Sequence, residues 1–212
     1  TENNEYEKAK NITNSLDYLN SPLLISQGKK WIEDQKPEKF ENFFSCRNSN
    51  DVVGEFLFLV ASLYSSQKDY EKSNFYLHLS NYLNPKFKFN LSLLAKNYYF
   101  DKDYSKTLKT LESFNKKDEL YYWFKLTKKA QIISKKKNKE ESLDFISLNF
   151  KKIKNPSIKI IFDVATFNKN AKRYKEAIKY YDRIISKIDI NSELYAEILY
   201  RRGSSYERLG DY

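Results

Sequence analysis

Residues 54–85 read GEFLFLVASLYSSQKDYEKSNFYLHLSNYLNP, and this stretch predicts two helices folded back on each other. The first half carries apolar or small residues at i, i+3, i+4 and i+7, the spacing of one buried helix face: Leu57, Val60, Ala61 and Tyr64. After a short polar break, the second half places Ser73, Leu77 and Ser80 on one face. Two helices can cross closely only where side chains are small, so we expect Ala61 and Ser73 at the crossing.

The same signature recurs along the chain at a nearly constant interval. Small residues fall in equivalent places of the first helices, at intervals of 33, 34, 35, 35 and 38: Gly28, Ala61, Ala95, Ala130, Ala165 and Gly203. Short residues of the second helices keep step: Ser73, Thr107, Ser142 and Ala177. So do the residues at the bend, where only the lysine departs from tyrosine: Tyr70, Tyr104, Lys139, Tyr174 and Tyr212. Because one helix pair cannot bury both of its faces, we expect the pairs to stack on their neighbours.

This order of large apolar, small, aromatic, small and proline residues resembles the tetratricopeptide repeat, a helix–turn–helix unit of about 34 residues. The resemblance covers residues 52–212 well and residues 1–50 loosely. It implies an all-α fold, in which stacked antiparallel helix pairs form a right-handed superhelical solenoid. It also implies that the first helices line a concave groove, that the ligands are extended peptides or other proteins, and that no catalysis takes place.

The repeat divides the chain into three parts. Residues 1–50 are expected to hold degenerate helices, beginning with a half-unit over residues 1–20. Residues 51–192 are expected to hold four helix pairs, at about 52–85, 87–117, 119–154 and 156–191. Residues 193–212 resemble the first helix of a further unit, so we expect the intact protein to continue and this end to self-associate when uncovered.

The region between the half-unit and the first clear pair is the least regular. Residues 22–34 predict a helix with Leu24, Gly28 and Trp31 on one stripe. Pro37 can open a helix at its first turn. We therefore expect a short or irregular second helix with an aromatic face, followed by a loop over residues 47–50; that face is Phe40, Phe43 and Phe44.

Composition sets limits on the class of protein. The chain has 212 residues, of which 41% are hydrophobic, and only four glycines and four prolines, which favours long helices over a turn-rich β fold. The sequence contains no run of 18 apolar residues, so it predicts no membrane span. The first residues do not resemble a signal peptide. We expect a soluble protein of the cytoplasm or periplasm, with any targeting segment outside this sequence.

Nothing in the sequence predicts catalysis, a metal site or a cofactor. The single histidine, His78, has no cysteine or carboxylate at helical spacing, and it is interpreted as a surface or inter-helix residue. The single cysteine, Cys46, is interpreted as a partly buried structural thiol. No phosphate-binding loop, dinucleotide fingerprint or nucleophile elbow is present. We therefore do not expect an enzyme.

The formal net charge is +10, which permits an anionic partner such as nucleic acid. Ten lysines fall within residues 125–154, against three acidic residues. One group lies at the turn inside a unit and the other at the turn between units: Lys136, Lys137 and Lys139, then Lys151, Lys152 and Lys154. Those turns occupy opposite edges of a solenoid, so this charge predicts two solvated rims.

The stripe beside the packing stripe of each first helix is expected to face the groove. The candidate peptide-binding residues are Phe89, Lys96, Tyr99, Lys128, Gln131, Lys135, Phe162, Asp163, Thr166, Tyr200 and Arg201. For the aromatic residues Phe58, Phe124 and Phe162, packing between neighbouring first helices stays an open alternative. The lysine of a carboxylate clamp would fall at Phe58, Ser92, Thr127, Phe162 or Tyr200, so no clamp for a terminal carboxylate is expected.

The function that the sequence favours is a non-catalytic scaffold for protein–protein interaction. An extended segment of an acidic or apolar partner would lie in the concave groove. Two alternatives stay open. A helical-repeat protein can read nucleic acid, which would require a repeated polar pair at fixed places. The chain could also be a structural arm of a larger assembly.

Overall fold

The structure, a computed structural model, describes residues 5–14, 23–36 and 38–210. Within those ranges the chain forms twelve α-helices and no β-strand. The helices are α1 (Tyr6–Asn14), α2 (Leu23–Glu33), α3 (Glu38–Phe43), α4 (Ser49–Ser66), α5 (Tyr70–Leu83), α6 (Phe89–Phe100), α7 (Tyr104–Leu111), α8 (Glu119–Lys136), α9 (Lys139–Phe150), α10 (Ile158–Asn170), α11 (Tyr174–Ile185) and α12 (Glu193–Leu209). The prediction of an all-helical fold is confirmed.

The helix bounds follow the repeat closely. Each of the four bend residues inside the described ranges is the first residue of a second helix: Tyr70 of α5, Tyr104 of α7, Lys139 of α9 and Tyr174 of α11. Neighbouring helices pack on each other, α4 on α5, α6 on α7 and α10 on α11. Pro37, residues 15–20 and Tyr212, on which predictions were also made, lie outside the described residues.

The described residues divide into two compact units, and the boundary falls inside α8 between Lys125 and Leu126. The first unit holds α1 to α7 and the beginning of α8. The second unit holds the rest of α8 and α9 to α12.

The small-residue ladder is buried where the repeat is regular. Four alanines of the first helices and four short residues of the second helices are buried: Ala61, Ala95, Ala130 and Ala165, then Ser73, Thr107, Ser142 and Ala177. The hydroxyl of Ser73 donates a hydrogen bond to the carbonyl oxygen of Ala61 at 2.8 Å. Ser142 makes the same bond to Ala130 at 2.7 Å. The prediction of close crossings at these two pairs is confirmed.

The two glycines of the ladder do not behave like its alanines. Gly28 is half-buried, and an added Cβ would meet the Phe40 ring at an ordinary 3.5 Å. Gly203 is exposed, and a Cβ there would meet nothing within 4 Å among the residues that the structure describes. Close helix packing therefore does not require glycine at either place.

Three of the turns inside the helix pairs contain a lysine in the left-handed backbone region. Lys68, Lys102 and Lys172 have φ of 64°, 62° and 62°, and each lies two residues before the bend tyrosine. Gly210, two residues before Tyr212, has φ of 76°. L-residues with a Cβ adopt this region at a cost, and glycine adopts it freely. The turn before α9 is one residue shorter and ends with Asn138, whose side chain accepts from the backbone N–H of Glu141.

The sequence placed a loop over residues 47–50, and this prediction was wrong at its end. Asn48 is the N-cap of α4, and its side chain accepts a hydrogen bond from the backbone N–H of Asn50 at 3.0 Å. Asparagine is a favoured N-cap because its side chain satisfies a free helical donor. Ser49 and Asn50 therefore already belong to α4. The expected short helix before it is α3, which has six residues.

A line of aromatic rings fills the core of the first unit. The ring of Phe87 makes edge contacts with Phe43 and Phe58 at centroid distances of 5.2 Å and 5.4 Å. Phe58 also contacts Phe89 at 5.1 Å. These rings link α3, α4, the α5–α6 loop and α6, so the irregular α3 is held by packing in spite of its length.

The contact between α5 and α6 contains a polar network around Asn97, which is fully buried. Its side-chain amide donates to the Ser73 hydroxyl at 2.8 Å and to the Asn74 side chain at 2.9 Å. Its oxygen accepts from the Ser65 hydroxyl at 2.7 Å. The network therefore joins α4, α5 and α6. Both the oxygen and the nitrogen of the Asn97 side chain have hydrogen-bond partners in it.

Helix α2 departs from a simple stack of neighbours. The Gln27 side chain donates to Asp118 at 3.1 Å and accepts from the Tyr121 hydroxyl at 3.2 Å, so α2 packs on the start of α8 within the first unit. The Lys30 ammonium pairs with Glu119 at 2.7 Å. In a solenoid each repeat contacts only its neighbours, whereas this contact passes over two helix pairs, α4–α5 and α6–α7. The repeat pattern predicts that the α2 stripe is buried, but it does not identify what covers it.

Candidate functional site

The candidate groove residues of the first unit all contact other side chains. Phe89 and α2 residue Leu24 pack against the same buried cluster. The Lys96 ammonium lies 5.9 Å from the centre of the Phe124 ring. The ring of Tyr99 lies 5.8 Å from that of Tyr104, and burial raises the pKa of the Tyr99 hydroxyl. Phe89 is therefore part of the packed core of the first unit.

The candidates on α8 in the second unit are partly brought together. Lys128 is buried, and its ammonium donates to the Gln131 side-chain oxygen at 2.8 Å. Lys135, one turn further along, is exposed. Because Lys128 is buried and hydrogen-bonded within its own helix, the exposed Lys135 is the more accessible cation of the two.

The candidates on α10 and α12 form a compact group. The Arg201 guanidinium lies over the Phe162 ring, with its carbon 4.9 Å from the ring centre, and its Nε pairs with Glu197 at 2.7 Å. The Thr166 hydroxyl donates to the Phe162 carbonyl at 3.0 Å. Asp163 is half-buried, whereas Tyr200 is 74% exposed and is available for contact with a ligand.

The structure adds Lys169 and Arg208, which the sequence analysis missed. The Lys169 ammonium of α10 donates to the Ser204 hydroxyl of α12 at 3.2 Å. Burial, and then the charges of Arg201 and Arg208, lower the pKa of Lys169. We call Lys169, Arg201 and Arg208 the α10–α12 basic cluster. Lys169 follows Phe162 and Thr166 at helical spacing, and this was the signal in the sequence that could have found it.

The open alternative for three aromatic residues is favoured by their burial. Phe58, Phe124 and Phe162 are each less than a tenth exposed. Phe58 contacts Phe89 of the next first helix, Phe124 lies beneath Lys96, and Phe162 lies beneath Arg201. These rings pack between neighbouring first helices, so any role in binding a peptide would act through the cations above them.

The first unit also contains an open pocket of about 230 Å³ between α2, α3 and the loops that precede α6 and α8. Its wall combines the Trp31 ring with three lysines of two segments: Lys39, Lys86 and Lys88. Asp118, the carboxylate on this wall, accepts from Gln27. The pocket is open to solvent, and its lysines outnumber the single carboxylate on its wall.

The histidine and the neighbouring glutamates Glu140 and Glu141 each contact a different side chain. In the part of the chain that the structure describes, no three His, Cys, Asp or Glu side chains are grouped as metal ligands. The ring Nε2 of His78 lies 3.3 Å from the Tyr98 hydroxyl. Glu140 pairs with Arg173, and Glu141 pairs with Lys137.

Cys46 corrects the sequence analysis. The sequence predicted a partly buried thiol, and the structure exposes it in the turn between α3 and α4. The aromatic residues before it, Phe40 and Phe43, pack on Trp31 and leave the turn at the surface.

No family model matches the chain, and no curated protein matches it. Among the described helices, none is long and apolar enough to cross a membrane.

Proposed function

We propose that this chain is a tetratricopeptide-like scaffold that binds an extended acidic segment of a partner protein without catalysing a reaction. The helix pairs, the buried alanine ladder and the recurring bend residues support this assignment. In the proposal, the pairs follow a right-handed superhelix, and the first helices α10 and α12 carry the contact surface of the second unit.

The observation that carries the proposal is the placement of the α10–α12 basic cluster, in which Lys169 donates to the Ser204 hydroxyl at 3.2 Å and Arg201 lies over the Phe162 ring. Lys169 lies near Arg201 and Arg208, and Glu197 is the carboxylate that pairs with Arg201. Burial, and then the charges of Arg201 and Arg208, lower the pKa of Lys169, and a carboxylate placed beside these cations would favour the charged form of the lysine. An acidic ligand would therefore meet a group of cations of complementary charge.

The neighbouring residues suit the rest of an extended segment. The exposed Tyr200 ring offers a flat apolar contact beside the cluster, and tyrosine is a frequent anchor at interfaces. Lys135 of α8 is a further accessible cation. The proposed ligand is therefore an extended peptide that combines acidic residues with an apolar or aromatic residue.

The proposal can be tested with acidic–aromatic peptides selected from a displayed random library. Affinity would be measured by fluorescence anisotropy for the wild type and for Lys169→Gln, Arg208→Gln and the control Lys175→Gln. Removing a cation that contacts the ligand is expected to weaken binding about tenfold or more, while the control, on the exposed side of α11, stays within about twofold. In the wild type, binding should raise the pKa of Lys169 in NMR titrations of the lysine side chains.

Two results would contradict the proposal. The first is selected peptides that bind the two cluster variants as tightly as the wild type. The second is a single-stranded RNA of the same charge that binds more tightly than any selected peptide, which would favour the nucleic-acid alternative.

A further inference from the structure

The pocket of the first unit brings an aromatic ring, three cations and one carboxylate to a single wall. The ring is that of Trp31 in α2, and the carboxylate is that of Asp118, which precedes α8. The cations are Lys39 of α3 and Lys86 and Lys88 of the α5–α6 loop. A cavity that combines an aromatic surface with a few convergent polar groups is the usual form of a small-molecule site.

The loop that carries two of the cations is fixed to α3. The side-chain oxygen of Asn84, which is buried, accepts from the backbone N–H groups of Lys86 and Phe87 at 3.1 Å and 3.2 Å. The Asn84 amide donates to the carbonyl oxygen of Phe43 at 3.2 Å, and the rings of Phe43 and Phe87 are in edge contact. The backbone beneath Lys86 and Lys88 is therefore in place before a ligand arrives, which lowers the entropic cost of binding.

The three lysines of the pocket carry uncompensated charge. Lys39 and Lys86 are exposed and Lys88 is half-buried, and none of the three ammonium groups forms a salt bridge with the side chains that the structure describes. Other lysines of this unit do pair, as Lys30 does with Glu119. A group of unpaired cations attracts an anion. Lysine is a frequent phosphate ligand, whereas the planar fork of arginine is the better match for a carboxylate.

Trp31 offers a flat surface beside these charges. Its ring is half-buried, and edge contacts with Phe40 and Phe43 at centroid distances of 5.2 Å and 5.4 Å hold it in position. The other tryptophan of the chain, Trp123, is 4% exposed and does not line the pocket. Proteins commonly hold a nucleobase by stacking it on such a ring, because every base has a π-face.

Asp118 distinguishes between ligands that combine a ring with a phosphate. Its carboxylate accepts from the Gln27 amide at 3.1 Å and from the backbone N–H of Tyr121 at 3.5 Å. A carboxylate has about four acceptor positions, so it can also accept from a ligand. The ring of a phosphotyrosine has no donor for it, whereas adenine, guanine and cytosine each carry an amino group. The same negative charge disfavours a polyphosphate that would fill the whole pocket.

We propose that this pocket binds a mononucleotide whose base carries an amino group, as in adenosine monophosphate. The base stacks on Trp31 and donates to Asp118, and the phosphate lies among Lys39, Lys86 and Lys88. The pocket volume of about 230 Å³ is below the range of about 300–1,000 Å³ that is usual for larger ligands. The site uses no residue of the α10–α12 basic cluster, so it is independent of the proposed scaffold function.

The first test is isothermal titration calorimetry of the full chain with adenosine monophosphate at about 0.15 M salt. The wild type is expected to bind with a Kd of about 10–100 µM. Lys86→Gln and Lys88→Gln should each weaken binding about fivefold or more, because each removes a cation beside the phosphate. Lys109→Gln removes the same charge from an exposed residue of α7 outside the pocket, and it should stay within about twofold.

Tryptophan fluorescence provides a second measurement of the same site. Because Trp123 is buried, the nucleotide should quench the emission of Trp31, and this quenching should be lost in Trp31→Phe. Affinity should fall about tenfold in that variant, since a smaller ring stacks less well on a base. Phenylalanine keeps an aromatic contact with Phe40 and Phe43, so helical circular dichroism should stay unchanged.

Three related ligands test the parts of the nucleotide separately. Adenosine lacks the phosphate and inorganic pyrophosphate lacks the base, so each should bind at least about tenfold more weakly than adenosine monophosphate. Inosine monophosphate lacks the amino group and should bind about threefold more weakly or worse. The proposal is overturned if the wild type binds no adenosine monophosphate at about 1 mM, if one of these ligands or a phosphotyrosine peptide binds as tightly, or if quenching persists in Trp31→Phe.

Discussion

The Ser73 hydroxyl donates a 2.8 Å hydrogen bond to the carbonyl oxygen of Ala61, and both residues are fully buried. The same bond joins Ser142 to Ala130 in the second unit. Serine at this place is small enough for two helices to cross closely, and its hydroxyl has a partner across the crossing. In the pair α10–α11 an alanine, Ala177, keeps the small size without the bond.

The closeness of the crossings predicts strong sensitivity to added volume. Ala165→Leu is expected to lower the free energy of unfolding by about 1–3 kcal/mol, because the extra methyl groups must enter a tightly packed contact. Lys136→Leu, at an exposed position in the last turn of α8, should change it by less than about 0.5 kcal/mol. Urea titrations of both variants measure the difference, and equal losses would contradict the predicted register.

Asn90 and Asn97 are predicted to respond oppositely to the same change. Both are fully buried in α6, but the Asn90 amide has no hydrogen-bond partner within the described chain, whereas Asn97 bonds to Ser73 and Asn74. Asn90→Leu removes an unsatisfied polar group and should raise the free energy of unfolding by about 1 kcal/mol or more. Asn97→Leu leaves its partners unpaired and should lower it by about 1–3 kcal/mol. A loss with Asn90→Leu, measured in the same denaturant titration, would count against this account.

Replacing a lysine in the left-handed backbone region with glycine is expected to stabilise the folded protein. Lys102→Gly removes the clash of a Cβ at φ of 62° and should raise the free energy of unfolding by up to about 1 kcal/mol. Lys109→Gly, within α7, should lower it, since glycine in a helix interior is unfavourable. Thermal unfolding of both variants provides the measurement. If Lys102→Gly destabilises as much as Lys109→Gly, the backbone of this turn is not strained.

The N-cap of α7 predicts a dependence of stability on pH. The backbone N–H of Lys106, and then its ammonium, hold the pKa of Asp103 below its usual 3.8. The folded state therefore favours the carboxylate, and its stabilising effect is present above pH 3.8 and is lost as the pH falls through the lowered pKa. Asp103→Asn keeps an acceptor without the charge, so its stability difference from wild type should shrink as the pH is lowered through this range. A difference that is constant from neutral pH to pH 2 would contradict the prediction.

Nucleic acid is expected to bind weakly and without sequence preference. The lysines at the turns around α9 are exposed, and one of them, Lys137, pairs with Glu141. Such surface cations make phosphate contacts whose affinity falls steeply with salt, so binding of random RNA or DNA should be weak near 0.15 M salt. Filter binding over a salt series measures this. Sub-micromolar, sequence-selective binding at that salt would contradict the scaffold proposal.

The periodic features of the fold could be predicted from the sequence. The bend residues and the alanine ladder were placed correctly because helical period and side-chain size act locally and repeat in every pair. The left-handed lysines were missed because lysine has no preference for that region. Their turns adopt it because the helices on both sides fix where the chain must reverse, which only the packed structure reveals.

Long-range and electrostatic features could not be predicted in the same way. The stripe of α2 indicated burial, but its partner Tyr121 lies more than ninety positions away and outside the repeat rule. The groove stripe included Arg201 but missed Lys169, whose helical spacing from Phe162 and Thr166 was visible, whereas its burial and its bond to Ser204 depend on a second helix.

The contact between Gln27 and Tyr121 also sets an order of events when the chain folds. The two residues are 94 positions apart, so closing this contact requires a long loop, whereas the helix pairs between them need only neighbouring residues. The pairs from α4 to α7 can form first, and α2 can dock only after the start of α8 is available. During synthesis at about 5–20 residues per second, α2 would wait roughly 5–20 s for its partner. Folding of the first unit therefore ends with a late docking step, and α2 is the segment whose nascent apolar face stays exposed longest.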